Sequence, residues 1–195
     1  MSANEIYYPP IVVFREQDDV LWLSPCFPCN GTVRDIPYAY ENGVDLILNI
    51  SAYYKGRKER MLEFTLAQAD VMRIAEMVQD ATSGKTRSRS SEVKIALEHS
   101  FTFKTNGNKR MDYLEIRRTP SHPKKPREDV WTIEITNTVA PDESKVYKAG
   151  TSQFRLTDLQ MMEMMRKAGK FFDVLESKVL EHIIDGWAGG LHYGY

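Results

Sequence analysis

Four cations, Lys55, Arg57, Lys58 and Arg60, fall within six residues directly after Tyr53 and Tyr54. This pairing of residue types suits a polyanion with exposed bases. Cations neutralise phosphates, and each base stacked on an aromatic ring adds about 1–3 kcal/mol. A second group repeats the chemistry: Lys109, Arg110, Tyr113, Arg117 and Arg118, with Lys124, Lys125 and Arg127 in a following proline-bearing stretch. Tyr53 and Tyr54 are neighbours, so on a strand they face opposite ways and at least one is exposed. The competing reading makes the cations guards of strand edges and the aromatics core. Phe101, Phe103 and Trp131 are assigned to the core on that ground.

Other chemistries find no support. Cys26-Phe-Pro-Cys29 has redox-motif spacing, but a reactive thiolate needs a helix N-terminus, and Asn30-Gly31-Thr32 does not open one. A structural zinc needs four ligands, and His99, His122, His182 and His192 are scattered. Ser83-Gly84-Lys85-Thr86 ends like a phosphate-binding loop, yet Gln79 stands where the first glycine belongs. The carboxylates are too dispersed to nominate an acid–base pair. The expectation is a binding protein with no catalytic residue, metal or cofactor.

Charge is unevenly placed. The net charge of −1 conceals a middle section, residues 51–127, with 17 basic and 9 acidic residues, between flanks of net −5 and −4. A basic block between acidic flanks fits a polyanionic partner. No apolar run approaches the roughly 18 residues that span a membrane, and the N-terminus lacks a signal-peptide core. Two cysteines do not make a disulfide framework, so a cytoplasmic location is expected.

The elements that must hold these residues come in two similar sets. Phe64-Thr-Leu66 runs into Val71, Met72, Ile74, Ala75 and Val78; Phe154-Arg-Leu156 runs into Met161, Met162, Met164, Met165 and Ala168. The class is α+β, with two β4α-like repeats whose antiparallel sheets pack with helices. Val44–Tyr54 alternates as a half-buried strand, Lys55–Arg60 reads as a turn, and Met61–Leu66 returns. Asn42-Gly43 and Asn106-Gly107 signal tight turns. Capping boxes at Thr65/Gln68 and Thr157/Gln160 open helices over about 67–81 and 158–184. In the second set, strands cover Val93–Lys104, Arg110–Arg118 and Val130–Val139, followed by short extended pieces around Gly150. The domain plan is an arm (1–10), a first repeat (11–82), a linker (83–92), a second repeat (93–185) and a Gly/aromatic tail (186–195) too glycine-rich for a helix.

Lys55-Gly-Arg-Lys followed by Met61-Leu-Glu-Phe-Thr-Leu66 and a helix resembles the last strand and helix of the Whirly and positive-cofactor group of single-stranded DNA-binding proteins. The resemblance covers most of residues 11–180 as a pattern, and Lys55–Leu66 in sequence; Lys148-Ala-Gly150 departs from it in the second half. It implies two β4α units in one chain, helices that join subunits into a dimer or tetramer, and single-stranded DNA lying across the sheets. In size and layout the chain is also similar to podovirus single-stranded DNA-binding cofactors that recruit a small phage RNA polymerase.

The expected function is therefore single-stranded DNA binding with little sequence preference, in support of phage transcription or replication within the host cytoplasm. The phosphate ligands would be Lys55, Arg57, Lys58, Arg60, Lys109, Arg110, Arg117, Arg118, Lys124, Lys125 and Arg127; the stacking residues would be Tyr53, Tyr54 and Tyr113. Two rivals stay open: an RNA-binding module on the same fold, and a protein-interaction or host-takeover factor whose basic patch meets an acidic protein.

Overall fold

Among the described residues, alternation of apolar and polar residues makes eight strands, and a 3.6-residue stripe makes two helices. In the computed structural model, β1 (Val12–Glu16), β2 (Asp19–Cys26), β3 (Asp45–Tyr54) and β4 (Arg57–Leu66) precede α1 (Gln68–Thr82). Then β5 (Val93–Thr102), β6 (Lys109–Thr119), β7 (Val130–Asp142) and β8 (Lys145–Thr157) precede α2 (Asp158–Gly190). The structure describes residues 9–26, 43–54, 57–83, 92–102, 109–119, 130–142 and 145–190. Each set of four strands forms one antiparallel meander, β1-β2-β3-β4 and β5-β6-β7-β8.

The repeat is visible in the register. Val12, Leu23, Leu48 and Phe64 form one cross-strand row in the first sheet. Ile95, Ile116, Ile133 and Phe154 form its counterpart in the second. All eight are buried. After each closing Phe the same offsets bury Val71, Ile74 and Val78 on α1 and Met161, Met164 and Ala168 on α2. The helices pack against one another as well as against the sheets, so one core serves both repeats. Trp131 is fully buried, in line with its assignment to the core. Met162, by contrast, lies on the outer side of α2 and is exposed.

Several boundaries differ from the sequence expectation. Arg57, Lys58 and Arg60 belong to β4 rather than to a turn, because β3 and β4 continue pairing past a register shift at Ala52/Tyr53. β8 is one strand of 13 residues, not short pieces around Gly150. A register irregularity at Asn137/Thr138 absorbs the extra residue there, as a bulge does. Thr65 stays in β4, and α1 starts after Ala67, whose N–H donates to Asp70 Oδ2 at 3.2 Å. The second box forms as expected: Thr157 N–H donates to Gln160 Oε1 at 2.9 Å, and Gln160 N–H returns to Thr157 Oγ1 at 3.3 Å.

α2 runs to Gly190, so Gly186–Gly190 is helical, contrary to expectation. Each glycine costs about 1 kcal/mol relative to Ala, but extending an existing helix avoids the nucleation penalty. Residues 191–195 of the tail, with Tyr193 and Tyr195, lie outside the described residues, as do linker residues 84–91, Cys29, Phe103 and the Asn106-Gly107 turn.

Gly43 enters β3 at φ +84°, and a Cβ built there meets nothing within 4 Å. Gly43→Ala therefore suffers backbone strain without a clash. It lowers stability by about 1–2 kcal/mol, read as a shift of the denaturant midpoint with unchanged m-value.

The sheets meet along a polar seam. Phe64 of β4 stacks on His99 of β5, with ring centroids 4.6 Å apart. Asn137 Nδ2–H donates to the Glu63 carbonyl at 3.3 Å and also to Asp112. Nearby, burial raises the Asp45 carboxyl above its ordinary value, and His99 opposes the rise. A raised carboxyl favours the folded state while protonated, so this contribution is present at low pH and is lost as pH rises through the folded value. Asp45→Asn removes that dependence. The variant matches wild type in acid and exceeds it at neutral pH when denaturant midpoints are compared.

Candidate nucleic-acid interface

The period of two on β6 decides where its cations go. Lys109, Met111, Tyr113, Glu115 and Arg117 share the open face of the second sheet; Arg110, Asp112, Leu114, Ile116 and Arg118 share the core face. Of each adjacent cation pair, one faces outward and the other inward. Lys109, Tyr113 and Arg117 thus form a line along the strand, each about 13 Å from the next. Tyr113 is half-buried, and its hydroxyl contacts Met111 Sδ at 3.5 Å. That contact ties the hydroxyl end of the ring to a neighbour on the same strand.

The inward cations have acidic protein partners on the core face, away from the open face of the sheet. Arg118 Nε–H donates to Asp158 Oδ1 at 3.0 Å and Nη2–H to Oδ2 at 2.7 Å. Trp131 Nε1–H donates to the same Oδ1 at 2.7 Å. The arrangement ties β6 and β7 to the first residue of α2, where a carboxylate also faces the positive end of the helix dipole. Arg118 is only 4% exposed, so a phosphate could reach it only by breaking this pair. Arg110 sits on the seam, with Nε–H donating to Asp112 Oδ1 at 2.7 Å and Nη1 lying 3.6 Å from Glu63 Oε1. It holds the two sheets together.

Register adds residues that linear reading missed. Lys94 of β5, Arg117 of β6, Thr132 of β7 and Arg155 of β8 are cross-strand partners on the open face. Neighbouring strands stand about 4.8 Å apart, so the row crosses the whole sheet over about 14 Å. Lys94 and Arg155 are exposed, and Arg117 is half-buried. The adjacent row, Ala96, Glu115, Glu134 and Gln153, is acidic at its centre. The next holds Glu98, Tyr113, Thr136 and Thr151, the two threonine hydroxyls 2.9 Å apart. The open face thus presents a cation row, a half-buried tyrosine and hydroxyl groups, the set a phosphate-bearing strand with unpaired bases would engage.

The first sheet presents a different open face. At the places equivalent to Lys94, Arg117, Thr132 and Arg155 stand Ile11, Ser24, Ile47 and Thr65. Trp22 occupies the position of Glu115, between Val13 and Asn49. Backbone register places Tyr53 opposite Lys58 and Tyr54 opposite Arg57 at the β3–β4 end. The side chains of Tyr53, Tyr54, Arg57, Lys58, Arg60 and Phe101 lie outside the described residues, as do Lys55, Lys124, Lys125 and Arg127 altogether. Among the described residues there is no group of three or more His, Cys, Asp or Glu that could hold a metal. No helix among them is long and apolar enough to cross a membrane.

Two four-stranded meanders, each followed by a helix and closed over one core, define a Whirly-like fold. The crystal structure of WHY1 from Arabidopsis thaliana superposes with a TM-score of 0.55 at 9% identity, over 100% of this chain and 97% of that one. The plant transcriptional regulator PBF-2 gives a TM-score of 0.48 at 8% identity, over 97% of each chain. No protein-family model and no curated protein matches the sequence.

Proposed function

We propose that this chain binds single-stranded DNA with little sequence preference, across the open face of β5–β8. The observation that carries the reading is the cross-strand row Lys94, Arg117, Thr132 and Arg155, on the same open face as the tyrosine row and two rows from it. A row of cations neutralises a backbone without reading bases, and stacking on Tyr113 accepts any base. The Whirly-like fold supports the same reading, as do the basic residues at the β3–β4 end. Sequence-tolerant binding suits a protein that keeps template single-stranded during transcription or replication. A phage RNA polymerase is the partner this role would serve, in a host cytoplasm, with the chain acting as a non-enzymatic cofactor. A dimer or tetramer joined through the helices would extend the DNA path over several sheets.

The test is a titration of labelled oligomers of matched sequence, as single-stranded DNA, duplex DNA and single-stranded RNA. The reading expects preference for single-stranded DNA over duplex. Equal affinity for duplex removes the base-stacking part of the proposal. A clear preference for RNA transfers the site to an RNA ligand, through its 2′-hydroxyls.

A further inference from the structure

The two carboxylate oxygens of Glu115 are divided between two cations of the proposed phosphate row. Oε2 lies 2.7 Å from Lys94 Nζ and Oε1 lies 2.6 Å from Arg117 Nε. Glu115 reaches Arg117 along its own strand and Lys94 diagonally across to β5, a separation that long side chains bridge. A phosphate uses two oxygens on two neighbouring cations in the same manner.

The fold does not require an acid at this place. The equivalent residue in the first sheet is Trp22, and the positions matching Lys94 and Arg117 are Ile11 and Ser24. The three-residue arrangement is present in the second sheet and not at the equivalent positions of the first. Arg155, at the end of the same row, makes no ion pair among the described residues. Glu134, the next acid in the Glu115 row, accepts a hydrogen bond from Gln153 and holds no cation among them.

We infer that Glu115 is a built-in competitor for phosphate, holding Lys94 and Arg117 until a polyanion displaces it; this rests on the single-stranded DNA reading above. Arg155 makes first contact. The ligand then exchanges with the Glu115 carboxylate at the other two cations. Displacement breaks two ion pairs and leaves a carboxylate beside the bound phosphate, which offsets part of the gain from each phosphate contact. Glu115 thereby limits affinity and favours ligands that present two adjacent phosphates over single anions.

Glu115→Gln is compared with wild type and with Glu134→Gln, which makes the same charge change one strand away. The probes are a labelled single-stranded DNA 30-mer and a heparin matrix. Glu115→Gln is expected to raise DNA affinity several-fold and to steepen the salt dependence by up to about 0.7, the share of one phosphate on a single strand. Glu134→Gln is expected to change affinity by less than twofold. In a Lys94→Ala/Arg117→Ala background, Glu115→Gln has no effect. Equal gains in the two glutamine variants, or a gain that survives in that background, overturn the inference. Should no form bind the oligomer, the DNA reading falls and heparin decides the inference. Later elution of Glu115→Gln than of both other proteins sustains the stand-in role, and identical elution overturns it.

Discussion

Asp158→Ala lowers the stability of the folded chain by about 2–4 kcal/mol, near the lower end of what breaking a buried ion pair costs. The side chain of Arg118 is 5% exposed and that of Asp158 is 28% exposed, so water softens the loss at one partner only. The substitution strands a buried guanidinium, removes the acceptor of the Trp131 indole, and deletes the acidic residue in the first turn of α2. For a chain of this size each kcal/mol moves the melting temperature by about 2–4 °C, so a fall of about 4–16 °C is expected in a thermal melt. The matched change Arg118→Met with Asp158→Leu recovers much of the loss, since removing both charges leaves neither unpaired. A single-variant loss under about 1 kcal/mol would mean the pair is solvated and structurally minor.

Removing the cation row has the largest expected effect on binding. Lys94→Ala/Arg117→Ala/Arg155→Ala deletes three phosphate contacts. It reduces the slope of log affinity against log salt by about 2, at roughly 0.7 per phosphate on a single strand. At moderate salt the affinity falls on the order of a hundredfold, if each charge-assisted contact is worth about 1 kcal/mol. Tyr113→Ala lowers affinity by about 1–3 kcal/mol without altering the salt slope, because stacking involves no counterion. Arg110→Ala behaves otherwise: it lowers stability by breaking the contacts to Asp112 and Glu63 and leaves the slope unchanged. Titration across a salt series separates these three results.

Much of the architecture was legible because it rests on local periodicity. The equal spacing from Phe64 to Val78 and from Phe154 to Ala168 predicted two equivalent strand–helix joints; Val71, Ile74 and Val78 and their counterparts Met161, Met164 and Ala168 are buried, whereas Met72 and Met162 are exposed. Thr157 and Gln160 formed the expected box because Thr157 directly precedes α2, whereas Thr65, at the same spacing from Gln68, stays inside β4. The site was less legible. Arg110 and Arg118 were grouped with their neighbours by composition, although alternation on a strand must turn one of each pair inward. Lys94, Arg155, Glu115 and Trp22 escaped notice for another reason. Their significance comes from cross-strand register, which joins residues as far apart in sequence as Lys94 and Arg155. Glycine content misjudged the end of α2 because composition ignores how cheaply a long helix extends.

The central claim is most directly tested by fluorescence anisotropy of a labelled single-stranded 30-mer across a salt series, with wild type beside the Lys94/Arg117/Arg155 triple alanine variant. The account predicts tight wild-type binding that weakens steeply with salt, and a variant slope shallower by about 2. Wild-type binding whose slope the triple variant leaves unchanged would contradict it and remove the open face of β5–β8 from the DNA path.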